Sequence, residues 1–153
     1  SEATHFSWDK NTVAHNTVVL DMQNQNASAG TAGPSHMTGQ VTLVTAEASE
    51  AYSAAQVYQR ALLLAGEYLL DVFTVAAQQP HTWDWVYHDA SNTTLPQVRA
   101  TNGSAPTEEL NATLADPSAA FAAAGDQTGY EHLSSLGMYT PSAHNGWELT
   151  FNP

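Results

Sequence analysis

The sequence feature that most constrains the fold is the run from Tyr68 to Ala76, in which Asp71 is the one charged residue. Successive side chains of a β-strand point to opposite faces of the sheet, so a run that is apolar at both odd and even positions has two faces to bury. Such a strand is typical of the centre of a sandwich, where layers cover both sides. We therefore expect this run to be a central strand of an all-β domain.

Three other segments also have the character of strands. An apolar run from Val18 to Met22, an alternating β-branched segment from Gln40 to Thr45 and a closing segment from Trp147 to Phe151 predict further strands. Residues 23–40 are rich in Gly, Ser, Thr and Asn and predict a long polar loop. The sequence thus predicts a single antiparallel β-sandwich domain over residues 1–153, with long polar loops and at most short helical turns.

The composition limits which chemistry and which partners are available. The 153 residues include no cysteine, so disulfides and thiolate metal sites are excluded, and a metal would have to use His, Asp, Glu, Asn or carbonyl oxygen. Three Lys+Arg against 15 Asp+Glu give a formal charge of −12. This charge argues against nucleic acid and anionic membranes as partners, because phosphate binding requires clustered cations. No apolar run reaches the roughly 18 residues of a membrane helix, so no membrane span is expected.

A histidine and an asparagine, His15 and Asn16, stand just before the first apolar run. A histidine at the point where a polar loop becomes a strand presents its ring at the edge of the sheet. Metal ligation and proton transfer are the chemical uses of such a ring. A hydrogen bond to a neighbouring backbone carbonyl is the structural alternative, and the local sequence leaves both open.

Residues from His81 to His88 alternate with the period of a strand. One face carries an aromatic row that includes Trp83 and Trp85, which are candidate substrate-binding residues because aromatic rings stack on sugars. The alternative is that the row belongs to the core, and aromatic burial, as the stronger driving force, favours this interpretation. The opposite face carries Asp84 and His88, which have the right types for a metal site but no spacing specific to one.

Four Asn-X-Ser/Thr sequons lie in polar, turn-rich stretches, at Asn26, Asn92, Asn102 and Asn111. Four sequons in loops favour a secreted, glycosylated eukaryotic protein. Residues 90–128 hold three of them and are too polar and too small in side chain to build a core, so we expect a long glycosylated loop excursion there. No signal peptide opens the chain, and Ser1 is therefore expected to begin a processed product or a fragment.

The segment Thr12 to Val19 and the segment Gly66 to Val75, continued through His88, resemble motifs of the heparinase II/III-like polysaccharide lyases. Weaker likeness at 129–133 and 147–151 extends the resemblance over most of residues 5–151. The resemblance implies the β-sandwich domain that follows a helical toroid in enzymes that cleave uronic-acid glycosides by β-elimination. It also implies that the histidine of the first motif, His15, is a zinc ligand, with Asn16 beside it as a candidate substrate contact.

The same resemblance bears on residues 47–64, whose composition and apolar spacing would also suit an amphipathic helix. It implies a loop over 46–54 and a strand from about Gln56 to Leu64, paired in a hairpin with the strand that starts at Tyr68. We predict the hairpin, because Gly66 lies where a tight turn is needed and helix propensity is a weak prior. A short helix within the loop stays open.

Only Lys10, Arg60 and Arg99 carry positive charge. Arg60 could bind an acidic substrate, but a hairpin would place it near Asp71. We expect an ion pair between these two residues, since an unpaired charge buried in a sandwich would be very costly.

The lyase motif is incomplete in this chain. In related oligoalginate lyases a His-Tyr pair precedes the zinc histidine and its Tyr is catalytic; the nearest match here is His5-Phe6, and phenylalanine cannot donate a proton. His5 is therefore a weak catalytic candidate, and the resemblance places the other zinc ligands before the start of this chain.

Two functions follow as expectations. The first is the sandwich portion of a secreted lyase that acts on acidic polysaccharide and is inactive as this chain alone, with the remaining chain of a larger protein as partner. The second is a non-catalytic secreted glycoprotein that binds carbohydrate or assembles with copies of itself.

Overall fold

A computed structural model of the protein describes residues 5–88, 97–102, 105–110, 113–114, 127–133, 137–138 and 147–150, and outside 5–88 and 127–133 it describes the backbone alone. Regular structure in these residues consists of antiparallel strands, three short 3-10 helices and one five-residue π-helical turn. The predicted all-β, antiparallel class is therefore confirmed. No helix in the described part of the chain has the length and apolar character needed to cross a bilayer.

The strands of the described residues are β1 (Val18–Leu20), β2 (Thr31–Ala32), β3 (His36–Thr38), β4 (Val41–Glu47), β5 (Ala55–Ala65), β6 (Tyr68–Ala77), β7 (Trp83–Trp85), β8 (Gln97–Asn102), β9 (Ala105–Leu110), β10 (Thr113–Leu114), β11 (Gly137–Met138) and β12 (Trp147–Thr150). The helical turns are the π-helix His5–Asp9 and the 3-10 helices Thr12–Ala14, Ser49–Ala51 and Tyr130–His132.

The main sheet has five strands in the order β2-β4-β5-β6, with β3 also paired to β4. The predicted hairpin forms one side of this sheet: β5 and β6 pair from Ala65↔Tyr68 to Ala55↔Ala77. The turn between them contains Gly66 at φ +61°, a left-handed conformation that costs glycine little. The helical alternative for residues 47–64 is thus excluded except for the single 3-10 turn Ser49–Ala51.

A second, smaller layer lies against one face of this sheet. Strands β1 and β7 pair antiparallel, with Val18 opposite Trp85 and Leu20 opposite Trp83. Side chains from both layers share one core cluster, which has at its centre the buried residues Val18, Leu20, Ala51, Tyr52 and Tyr58. The packing of one sheet on another confirms the sandwich architecture.

The other side of β1 is also covered. Val19 packs with Val13 and Tyr130 in a second cluster, so that all three residues of β1 are buried. Gly129, at φ +90°, allows this close packing: a Cβ added there would lie 2.6 Å from Cγ1 of Val13 and 2.9 Å from Cβ of Asn11. The strand that is covered on both faces is therefore β1.

The prediction that the strand from Tyr68 is central and covered on both faces was wrong. Among the described strands, β5 is the sole neighbour of β6, which makes β6 an edge. Tyr68 is 81% exposed and Leu69 63% exposed. The reason is length: the three-residue strands of the second layer span about 10 Å, whereas the ten residues of β6 span about 33 Å. The second layer covers Phe73 and Val75 and leaves the end of the hairpin bare.

Two predicted loops contain strands. Residues 23–40 hold β2 and β3, both of which pair with β4. Residues 90–128, expected to be a loop excursion, hold β8 and β9, which pair with each other as a hairpin, and the short strand β10. Polar composition hid these strands because the alternation that marks a half-buried strand is weak in them.

The predicted ion pair is confirmed. Nη2 of Arg60 lies 2.6 Å from Oδ2 of Asp71 and Nε lies 2.9 Å from Oδ1, a two-point contact. Nη1 of the same guanidinium donates to the carbonyl oxygen of Asn16 at 2.8 Å. The pair therefore ties the main sheet to the segment that leads into β1.

Replacement of Gly129 by Ala tests the packing under β1. We expect the Gly129→Ala change to lower the free energy of unfolding by roughly 2–4 kcal/mol, because it adds a steric overlap to the strain of a left-handed φ. Gly66→Ala is the matched control: its φ is also positive, +61°, but nothing lies within 4 Å of the added Cβ. Strain alone predicts about 1 kcal/mol for the control. Equal losses in urea unfolding would contradict the proposed close contact.

Candidate functional site

His15 lies between the 3-10 helix Thr12–Ala14 and strand β1, as expected from its position in the sequence. Its side chain is exposed, and its Nε2 lies 3.0 Å from the carbonyl oxygen of Asp9. This is the structural alternative considered for a lone histidine, a ring held by a backbone carbonyl. The contact fixes the ring orientation and leaves the other ring nitrogen, Nδ1, without a hydrogen bond among the described residues.

Asp84, in β7, and His88, three residues beyond its end, have separate partners. Oδ2 of Asp84 accepts a hydrogen bond of 2.7 Å from the hydroxyl of Tyr130. Nε2 of His88 lies 2.7 Å from the carbonyl oxygen of Val13, and its ring meets the edge of Trp8 at a centroid distance of 5.8 Å. Both residues thus hold the second core cluster against β7.

The residues that the structure describes do not by themselves form a zinc site. No group of three or more His, Cys, Asp or Glu side chains in them is placed to share a metal ion. Zinc sites in proteins use three or four protein ligands. Among the described residues, His15 supplies one of these ligands at most.

Asn16 acts as a clamp on the segment that follows β7. Its Oδ1 accepts the backbone N–H of His88, and its Nδ2 donates to the carbonyl oxygen of the same residue at 3.5 Å. Both side-chain atoms therefore bind the backbone of a residue that lies beyond the end of β7. A sugar hydroxyl would compete with these contacts.

The aromatic row of β7 divides between core and surface. Trp83 packs against the core cluster of the two layers, as the core interpretation predicts. Trp85 and Tyr87 do not follow it: they are 52% and 53% exposed. Their ring centroids lie 6.4 Å apart with an interplanar angle of 39°. Two exposed rings side by side form a platform of the kind on which sugar rings stack, and we call Trp85 and Tyr87 the aromatic platform.

Tyr87 was not selected as a site residue from the sequence. The signal was present, because the period of two places it on the face of Trp85. The sequence did not indicate how short β7 is. The strand ends at Trp85, and Tyr87 therefore lies beyond it, outside the core.

Each of the two cations whose side chains the structure describes contacts another residue of the chain. Arg60 pairs with Asp71, and Nζ of Lys10 lies over the ring of Phe6, 4.5 Å from its centroid. Both contacts hold the cation near its own partner. Neither cation is therefore available to neutralise a substrate carboxylate without loss of its present contact.

His5 belongs to the π-helical turn at the start of the described chain. Its Nδ1 lies 3.7 Å from Oδ2 of Asp9, and its ring meets that of Phe6 at 5.2 Å. Both side chains of the ion pair are about half exposed. Such a pair contributes little to stability in water.

A second acid-histidine contact fixes the start of β7. Asp21 accepts the backbone N–H of Thr82 at 2.9 Å and lies 2.7 Å from Nδ1 of His81. The hydrogen bond with His81, and then that with Thr82, lower the pKa of Asp21 below 3.8. The contact joins the end of β1 to the strand beside it.

Three tyrosines in or beside the two core clusters have raised pKa values. Burial raises the pKa of Tyr52 to about 12 and also raises that of Tyr58. Burial, and then the hydrogen bond to Asp84, raise the pKa of Tyr130. Each must stay protonated in the folded chain, because a phenolate at these positions would lose solvation.

The glycosylation candidates differ in what the structure describes. Asn26 is exposed, and its Nδ2 donates to the carbonyl oxygen of Glu50 at 3.4 Å. Asn102 ends strand β8, where its backbone alone is described. Asn92 and Asn111 lie outside the described residues.

The raised tyrosine pKa values predict the direction of alkaline destabilisation. A group whose folded pKa lies above its unfolded value stabilises the fold below the unfolded pKa, here about 10, and this contribution is lost as pH rises further. We therefore expect the free energy of unfolding in urea to fall as pH rises above 10. Tyr130→Phe should make this fall with pH less steep by the equivalent of one proton, although the variant also loses the hydrogen bond to Asp84. If the free energy of unfolding falls equally steeply with pH in the two proteins, Tyr130 does not contribute to the alkaline destabilisation.

Comparison with known proteins gives one match. The family model described as Heparinase II/III-like, C-terminal, matches residues 2–150. Searches of curated proteins and of solved structures returned no significant match. The match spans nearly the whole chain and agrees with the antiparallel sandwich described above. The chain belongs to the heparinase II/III-like family and corresponds to its C-terminal domain.

Proposed function

We propose that this chain is the polysaccharide-contacting sandwich domain of a secreted heparinase II/III-like lyase, and that it binds acidic polysaccharide without cleaving it alone. The family supports a link to polysaccharide lyases. The observation that carries the binding role is the aromatic platform, in which both rings are about half exposed.

Stacking suits this chain better than charge pairing as a means of holding a glycan. The protein carries a formal charge of −12, so long-range forces repel a polyuronate. Ring faces bind the apolar face of a sugar without using a cation. The platform therefore supplies short-range attraction in a chain whose overall charge opposes the ligand.

The contacts of the two described cations support the proposal that the chain alone is inactive. β-Elimination at a uronic acid requires a base near the proton that leaves and a positive group at the carboxylate. Among the described side chains, Arg60 is paired with Asp71 and Lys10 lies over the ring of Phe6. The positive group at the carboxylate would therefore come from the rest of a larger protein.

A second candidate function is a non-catalytic secreted glycoprotein that binds carbohydrate or assembles with itself. The open edge of β6 and the exposed end of the hairpin favour it, because such edges pair with other strands. In either case we propose secretion and glycosylation, which the exposed sequon at Asn26 supports.

Removal of one ring of the platform tests the binding role. We expect Trp85→Ala to weaken binding to a uronic-acid oligosaccharide about tenfold, the equivalent of roughly 1.4 kcal/mol of lost stacking. Tyr68→Ala is the control, since Tyr68 is an exposed aromatic residue outside the platform. Affinity in isothermal titration should rise with salt, because screening reduces repulsion between the acidic chain and the ligand. Equal affinities for the two variants would overturn the proposal.

We also propose that His15 is one ligand of a zinc ion whose other ligands belong to the rest of a larger protein. Intact mass and elemental analysis of natively purified protein test the proposed zinc and glycans together. We expect glycan mass on the chain and one zinc per molecule of the assembly that contains it. His15→Ala should lose the zinc, whereas His5→Ala should keep it. Wild-type protein without zinc would remove the metal from the proposal, and a mass equal to that of the bare chain would remove the glycans.

A further inference from the structure

We propose that the first sugar of a glycan on Asn26 lies in a polar groove beside this residue, between segments 27–31 and 47–50. The proposal rests on the glycosylation of Asn26 proposed above and adds where the attached sugar goes. Three observations carry it: how the groove forms, which atom of Asn26 lies beside it, and which side chains line it.

The groove forms because two segments are joined at both ends and separate between them. At one end Thr31 of β2 pairs with Glu47 of β4. At the other end the backbone N–H of Asn26 donates to the carbonyl oxygen of Ala51 at 2.7 Å. Between these contacts the antiparallel pairing stops, because the second segment turns into the 3-10 helix Ser49–Ala51. A groove of about 380 Å³ remains between the two segments.

The atom of Asn26 that a glycan modifies lies beside this groove. Nδ2 is the nitrogen that carries an N-linked sugar, and it lies 3.4 Å from the carbonyl oxygen of Glu50, which lines the groove. Ser28, the third residue of the sequon, also lines it. The side chain of Asn26 is exposed, so the sugar is attached without the loss of a core contact. The nitrogen keeps one N–H after glycosylation, and the contact with Glu50 is therefore compatible with the sugar.

The lining of the groove selects a neutral sugar. Its polar side chains are hydroxyls and carboxylates, all of them exposed: Ser28, Thr31, Glu47, Ser49 and Glu50. Carboxylate oxygens accept hydrogen bonds from sugar hydroxyls, and Ser and Thr hydroxyls both donate and accept them. Two carboxylates repel a uronic acid, whereas N-acetylglucosamine, the first sugar of an N-linked glycan, carries no charge. The groove therefore suits the attached glycan and not the acidic polysaccharide proposed for the aromatic platform.

Covalent attachment makes weak contacts sufficient in this open groove. Each hydrogen bond at an exposed surface contributes little net stability, because water competes for the same groups. A short tether, however, holds the sugar at a local concentration of about millimolar or more. The single side chain of Asn26 is such a tether. The sugar thus fills the gap between the two segments where their own pairing stops.

Peptide mass mapping and hydrogen exchange of the glycosylated protein test the proposal. The reference is the same sequence made in a host that adds no N-glycans. We expect glycan mass on the peptide that contains Asn26. Amides of residues 48–51 should exchange about threefold more slowly in the glycosylated protein, the ratio for a sugar that occupies the groove about two-thirds of the time. A nuclear Overhauser effect should join the N-acetyl methyl group to the methyl group of Ala48, which lines the groove.

Two variants that keep the sequon separate the groove from the glycan. Glu50→Ala removes a lining carboxylate and should abolish the exchange ratio between the glycosylated and unglycosylated forms, while the glycan mass stays. Glu67→Ala makes the same change of charge at an exposed residue of the turn between β5 and β6, and should leave the ratio unchanged.

The outcomes distinguish the glycan from its position. An unmodified Asn26 would overturn both the glycosylation of this residue and the proposed position of its sugar. Glycan mass on Asn26 with equal exchange in the two forms and no contact to Ala48 would overturn the position alone. Protection that survives Glu50→Ala would also overturn it, because the sugar would then lie outside the groove.

Discussion

The hydroxyl of Tyr58 joins the two layers of this sandwich. It donates to the carbonyl oxygen of Val18 and accepts from Nε2 of Gln25 at 2.7 Å, while the hydroxyl of Thr17 lies 2.9 Å away. The ring is buried between Tyr52 and Phe73, at centroid distances of 5.5 Å and 4.9 Å. A single residue of β5 thus supplies both apolar contact and polar satisfaction at the point where β1 crosses the main sheet. The buried polar atoms of a core are tolerated only when satisfied in this way.

A second set of contacts between the two layers lies beside Tyr58. Two residues along β5 from Tyr58, Arg60 reaches the carbonyl oxygen of Asn16, whose side chain clamps His88. These contacts hold the segment that follows β7, which ends at Trp85, and the last two aromatic residues of the row are about half exposed. The aromatic platform is therefore a consequence of a short second layer, and the bare end of the hairpin has the same cause.

The sequence was sufficient for features that depend on local pattern. The hairpin around Gly66, the ion pair of Arg60 with Asp71 and the sandwich class were all predictable, because a turn residue, opposite charges and apolar runs each act over short distances. The edge position of β6 was not predictable, since strand order depends on which distant segments pair. Tyr130 was also out of reach: its bond to Asp84 joins residues far apart in the chain, and no local pattern records such a contact.

The acidic character of the chain has the same consequence for its two exposed apolar surfaces. A charge of −12 opposes both a polyuronate and a second copy, so any attraction has to come from groups that carry no charge. The aromatic platform and the edge of β6 are two such groups of residues, and both lie where the short second layer leaves the main sheet or its own last residues uncovered. Contacts of this kind act at short range and grow stronger as salt screens repulsion, which is the reverse of binding through a basic patch. The recognition proposed for this domain therefore depends on where the layers end rather than on charge.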